Sequence, residues 1–125
     1  MSVIIDSSVW LEYFRKGNNS EKVDFLIDED LIVTNDLILA ELTPFLMMRK
    51  QEKLLKLLHN INKLAIKISW DQLVDFQCSC LQNGLNGVGI PDLIIVQNAI
   101  QNDSQIYSLD KHFTSMSAFL DVEIF

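Results

Sequence analysis

Apolar and polar residues fall along this chain in blocks that read as strand, helix, strand, helix. Val3 to Ile5 is a short β-branched run ending at Asp6, and after it Val9, Trp10, Tyr13 and Phe14 recur at helical spacing between Ser7 and Lys16. Gly17 is placed to stop that helix. Asn19 and Ser20 can cap a second one with Val23, Phe25, Leu26 and Ile27 turned inward, and residues 31–34, Leu-Ile-Val-Thr, predict the second strand. A third helix opens near Asp36 and carries Leu37, Ile38, Ala40, Glu41, Phe45 and Leu46. Pro44 should kink it or mark a boundary, because proline removes a backbone donor. Residues 51–60 are amphipathic, with Leu54, Leu55, Leu57 and Leu58 on one side, and residues 64–68, Leu-Ala-Ile-Lys-Ile, predict a third strand. Ser69 and Gln72 have the spacing of a capping box, opening a helix to about Leu85. Gly84, Gly87 and Gly89 then make a loop, and Pro91 takes the favoured first position of a helix over residues 92–102. Residues 105–108 and 122–125 read as the last two strands.

Strands alternating with helices through the whole chain predict an α/β fold, a three-layer α/β/α sandwich with a five-stranded parallel sheet covered on both faces. The 125 residues hold one domain, residues 1–125, and 49% hydrophobic against 22% charged residues exclude a disordered composition. No apolar run approaches the roughly 18 to 20 residues that span a bilayer, and the N-terminus lacks the basic region of a signal peptide. A cytoplasmic protein with no membrane partner is the expectation. Cys78 and Cys80 have no second cysteine pair and no nearby histidine to complete a zinc site, and read as reduced thiols in a helix.

Ten basic residues against 17 acidic ones give a net charge of −7, which argues against holding nucleic acid by the overall field. The charge is unevenly spread, however. Residues 49–67 contain six basic residues and one acid, and Arg49, Lys50, Lys53 and Lys56 are spaced to form a basic stripe on one helix. A solvated face balancing Leu54, Leu55 and Leu58 explains this stripe as well as phosphate contact does. His59 and His112 read as ordinary surface residues, and Trp10, Tyr13 and Phe14 as core or interface.

Four acids sit in unusual company. Asp6 follows Val-Ile-Ile, Glu41 lies within Leu-Ile-Leu-Ala-Glu-Leu, Asp92 within Gly-Ile-Pro-Asp-Leu-Ile-Ile-Val, and Asp110 ends Ile-Tyr-Ser-Leu-Asp. Carboxylates are seldom buried unless paired or bound to a metal. Asp6 and Asp110 each follow a strand, at the carboxyl edge where open parallel sheets bind ligands, and Asp92 and Glu41 lie on helices that can bring them to the same edge. Four such carboxylates repel one another unless a cation relieves them. An all-oxygen ligand set selects Mg²⁺ or Mn²⁺ over zinc, and the chemistry that such ions fit is phosphodiester hydrolysis.

The segments Val3-Ile-Ile-Asp-Ser-Ser-Val-Trp10, Leu39-Ala-Glu-Leu42, Ile90-Pro-Asp-Leu-Ile-Ile95 and Tyr107-Ser-Leu-Asp-Lys-His-Phe113 resemble, in order, the successive motifs of the PIN-domain ribonucleases. Length and motif order resemble more narrowly the VapC toxins of bacterial toxin–antitoxin pairs. The resemblance implies an α/β/α sandwich, Mg²⁺- or Mn²⁺-dependent endoribonuclease activity, a homodimer and a cognate antitoxin partner. It further implies that Asp6 and Asp92 ligate the metal directly and that Glu41 and Asp110 complete the acidic pocket. Ser8 would support Asp6 or a water, and Ser108 stands where the family often has Thr or Ser. Relatives often carry Arg beside the last acid, where this chain has Leu109 and then Lys111. With RNA as the substrate, Arg49, Lys50, Lys53 and Lys56 become candidates for contacting it, and hydrolysis should leave 5′-phosphate and 3′-hydroxyl ends.

Each acid also has a plainer reading. Asp6 can N-cap the helix starting at Ser7, Asp92 can sit in a first helical turn where the dipole favours it, and Asp110 can cap the turn holding His112 and Phe113. Glu41, among Leu37, Ile38, Leu42 and Phe45, would need a buried partner. A non-catalytic interaction domain of the same fold is the competing function. Phosphotransfer to aspartate fits less well, since Asp6 is followed by Ser7-Ser8 rather than by the second acid that such sites use.

Overall fold

The computed structural model describes residues 1–15 and 20–125, so the expected roles of Lys16, Gly17 and Asn19 lie outside the described residues. The chain runs β1 (Val3–Ile5), α1 (Ser7–Phe14), α2 (Ser20–Asp28), β2 (Ile32–Thr34), α3 (Asp36–Met48), α4 (Glu52–His59), β3 (Asn62–Lys63), α5 (Trp70–Gln82), α6 (Ile90–Gln101), β4 (Gln105–Tyr107) and α7 (Lys111–Met116). The strands form one parallel sheet in the order β3-β2-β1-β4. β1 and β2 are buried along their whole length, as strands with helices on both faces must be. Helices α1 to α4 pack as one group and α5 with α6 as another. The chain steps outward from β1 to β3 and then returns to β4 on the far side of β1, so right-handed crossovers put the two groups on opposite faces. The point where the strand order reverses lies between β1 and β4, and there the carboxyl ends of adjacent strands part to leave a crevice.

Two expected strands take a different form. The described residues give four strands rather than five, because residues 122–125 are reduced to one parallel bridge, Ile106 to Ile124, on the outer side of β4. Val122 is buried there, so the segment is core that lacks an extended ladder. The third strand is Asn62–Lys63 rather than residues 64–68. The segment after it joins no ladder, and amide side chains of α6 hold it in place of a neighbouring strand. Asn98 donates to the Ala65 carbonyl at 3.0 Å, Gln101 to that of Lys67 at 2.8 Å and Gln97 to that of Ser69 at 3.1 Å. Gln97 also takes over half of the capping box. It accepts from the Ser69 N–H and donates to Gln72 Oε1, while Ser69 Oγ still accepts from the Gln72 N–H at 3.4 Å.

Smaller departures have local causes. α3 continues through Pro44, whose missing donor would have served the carbonyl of Ala40. Both residues are exposed, so water can satisfy that carbonyl. Phe25 is 51% exposed and Leu57 is 38% exposed, whereas Val23, Leu26 and Leu58 carry the inward faces of α2 and α4. Arg49 and Lys50 follow the end of α3, and Lys53 and Lys56 lie in α4, so the basic stripe spans a helix junction rather than one helix. α6 starts at Ile90 with Gly89 as its N-cap, placing Pro91 in the first turn. Trp10 is fully buried, stacked on Phe14 with ring centroids 5.7 Å apart, which makes this aromatic group core.

Candidate active site

Asp6 leaves β1 at the crevice and is 7% exposed. Its backbone occupies the N-cap of α1, with its carbonyl accepting from Val9 and Trp10, yet its carboxylate makes no capping bond. Two hydroxyls hold that carboxylate instead: Ser8 Oγ and Ser108 Oγ each donate to Oδ2 at 2.8 Å. The same two serines accept from the turn after β4, Ser8 from the Leu109 N–H at 3.1 Å and Ser108 from the Asp110 N–H at 2.9 Å. A hydroxyl has a single proton to donate, so accepting from the turn fixes both protons on Asp6. Charge-assisted bonds of this kind lock the side chain, and they leave Oδ1 with no hydrogen-bond partner among the described residues.

The other three acids gather around this anchor. Asp92 lies in the first turn of α6 and is partly buried. Its carboxyl is pushed above the usual carboxylate range, first by burial and then by the charges of Asp110 and Asp6, with His112 opposing. Glu41 is exposed as a residue rather than enclosed by its apolar neighbours, yet its carboxyl is likewise raised by desolvation, then by Asp6 and Asp92. Asp110 does cap α7, accepting from the His112 N–H at 2.9 Å, and its side chain remains 41% exposed. Among the described residues no lysine or arginine pairs with any of the four acids. Among the described residues the repulsion within the crevice is thus opposed only by His112 at Asp92, and a divalent cation with oxygen preference fits the carboxylate donors.

His112 belongs in this group, contrary to its reading as an ordinary surface residue. Its Nδ1 lies 3.4 Å from Asp110 Oδ1, and donor atoms of Asp92, Asp110 and His112 all fall within 4.8 Å of one another. The signal for it was present in the sequence as Asp110-x-His112 at a helix start, a spacing at which the capping carboxylate faces the residue two positions on. The basic candidates Arg49, Lys50, Lys53 and Lys56 are all exposed and form no ion pair among the described residues, while Lys63 pairs with Asp36 at 3.2 Å. Arg49 stacks on Phe45, its guanidinium carbon 4.3 Å from the ring centroid. Both cysteines are free thiols in α5, as expected. Among the described residues no helix is long and apolar enough to cross a membrane.

Comparison with known proteins bears on this arrangement. Over its full length the chain is similar in structure to VapBC2 from Rickettsia felis bound to a DNA fragment from its promoter, with TM-score 0.77 and 16% identity across 98% of that chain. It is similarly related to VapBC-1 from nontypeable Haemophilus influenzae, at TM-score 0.75 and 16% identity, covering 100% of this chain and 97% of the other. FitAcB from Neisseria gonorrhoeae follows at TM-score 0.68 and 17% identity, over 98% and 96% of the two chains. No curated protein matches in sequence. These likenesses concern the fold. The sequence itself matches the PIN domain family over residues 3–118, and the chain belongs to that family.

Proposed function

We propose that this protein is a metal-dependent endoribonuclease of the VapC type, the toxin of a toxin–antitoxin pair, with Asp6, Glu41, Asp92 and Asp110 as its catalytic carboxylates. The observation that carries the reading is the convergence of these acids on the crevice between β1 and β4 with no lysine or arginine among the described residues to pair with them. Mg²⁺ or Mn²⁺ bound there supplies a cation that lowers the pKa of water and neutralises charge on a phosphoryl oxygen. Asp6 and Asp92 are assigned as direct ligands through the open Oδ1 of the first and the first-turn carboxylate of the second. Glu41 and Asp110 hold a further cation or orient the attacking water. Ser8 and Ser108 keep Asp6 in place, so that its carboxylate is preorganised before substrate arrives. Exposed Arg49, Lys50, Lys53 and Lys56 are offered as contacts to RNA phosphates.

An antitoxin partner is supported by the VapBC neighbours, and a homodimer by the exposed apolar residues Trp70, Val74 and Leu81 along α5. A non-catalytic interaction domain remains the competing function. Purified protein should cleave RNA in Mg²⁺, and Asp6→Asn should reduce the rate at least a hundredfold while leaving the circular dichroism spectrum unchanged. Cleavage by Asp6→Asn at the wild-type rate contradicts the proposal. Absence of cleavage by folded wild-type protein that binds Mg²⁺ favours the non-catalytic reading.

A further inference from the structure

We infer that His112 donates an imidazole nitrogen to the cation held by Asp92 and Asp110, so that the site has a mixed nitrogen and oxygen donor set and prefers Mn²⁺ to Mg²⁺. The inference rests on the metal-dependent reading proposed above and alters its all-oxygen expectation. The geometry has three parts. Donor atoms of Asp92, Asp110 and His112 lie within 4.8 Å of one another, and the 3.4 Å between Nδ1 and Asp110 Oδ1 is close to the roughly 3 Å that separates adjacent donors of a six-coordinate ion with bonds of about 2.1 Å. The ring lies beside Gly87: a Cβ placed there would meet His112 Cε1 at 3.4 Å and Nε2 at 3.5 Å, an ordinary contact. Asp6, whose charge reaches Asp92, is 7% exposed, and its Oδ1 has no hydrogen-bond partner among the described residues. The loop backbone at position 87 thus lies beside the imidazole, and Nδ1 of the ring faces Asp110.

Mg²⁺ takes hard oxygen donors and keeps several waters, whereas Mn²⁺, a transition ion that shares the oxygen preference, gains more from an added imidazole nitrogen than Mg²⁺ does. His112 therefore adds affinity for Mn²⁺ and little for Mg²⁺. The test is electron spin-echo envelope modulation on Mn²⁺-loaded protein, together with calorimetric titration of Mn²⁺ and Mg²⁺. Wild type should show nitrogen modulation, and His112→Gln should abolish it and weaken Mn²⁺ binding about tenfold or more while changing Mg²⁺ binding less than threefold. The His59→Gln variant should keep the modulation. His112→Leu serves as a second variant should the glutamine variant fail to fold. Bound Mn²⁺ without nitrogen modulation, or equal losses of affinity for both ions, overturns the role of His112 and leaves the carboxylate site standing. Failure of wild type to bind Mn²⁺ at all removes both the inference and the reading beneath it.

Discussion

The identities of Asp6, Glu41, Asp92 and Asp110 stood out because each acid interrupts an apolar run, and that contrast is visible without coordinates. What the sequence does not display is how each one is held. Asp6 looks like a helix N-cap and has the backbone of one, but Ser8 and Ser108, a hundred residues apart, take its carboxylate away from that task. Removing both hydroxyls, in Ser8→Ala with Ser108→Ala, should destabilise the protein by about 2–4 kcal/mol, since two bonds to a buried charge are lost along with two acceptors for the turn. Urea unfolding would measure it. Glu41 gives a prediction of opposite sign. Its carboxyl is raised by burial and by the Asp6 and Asp92 charges, so the folded state binds its proton more tightly than the unfolded chain does. Its contribution is then fully present below the ordinary carboxylate range and is lost as pH climbs through the raised value. In EDTA, Glu41→Gln should unfold at a higher temperature than wild type, by a margin that widens as pH rises above about 4 to neutrality. A margin independent of pH would contradict the placement of Glu41 among the acids.

Helix existence was legible from periodicity; where helices end, and which extended segments join the sheet, was less so. α2, α3, α5 and α6 all close with the same pair of hydrogen bonds into the last turn, as in Leu31 to Leu26 with Asp30 to Ile27 and in Ser104 to Ala99 with Asp103 to Ile100. Only α5 uses glycine at the left-handed position, Gly84, while Asp30, Lys50 and Asp103 adopt φ of 55°, 55° and 53°. A stop signal built from aspartate or lysine has no mark in the sequence, so periodicity locates these helices without fixing where they end. Asp103→Gly should accordingly stabilise the protein by about 0.5–1 kcal/mol, read from the urea midpoint. The misplaced third strand has a related cause. Alternating Leu64, Ile66 and Ile68 fit strand chemistry, yet the carbonyls they flank are taken by Gln97, Asn98 and Gln101, amides that look like an ordinary polar helix face. Asn98 also accepts from the buried Asn35, the N-cap of α3. Asn98→Ala should therefore cost about 2–3 kcal/mol by stranding the Ala65 carbonyl and the Asn35 amide.

Parallel strands alternating with helices were enough to predict the α/β architecture, with four strands found among the described residues where five were expected. The edge for chemistry was read from Asp6 and Asp110 each following a strand; the order reversal beside β1 is visible only in the structure. The net charge of −7 is misleading at first, because four of the acids belong to one proposed cation site and the basic residues cluster at positions 49–67. On the proposed function, the protein should not be a strong nonspecific RNA binder, and its cleavage should depend on the cation and on a few phosphate contacts. Lys53→Ala with Lys56→Ala should raise KM for RNA several-fold and reduce the salt dependence of binding, leaving kcat near wild type. The chemistry of the cut ends tests the whole proposal. RNA treated with purified protein in Mg²⁺ or Mn²⁺ should yield 5′-phosphate and 3′-hydroxyl termini, and none after excess EDTA. Cleavage that persists in EDTA, or termini carrying 2′,3′-cyclic phosphate, would contradict water activated at a carboxylate-held cation.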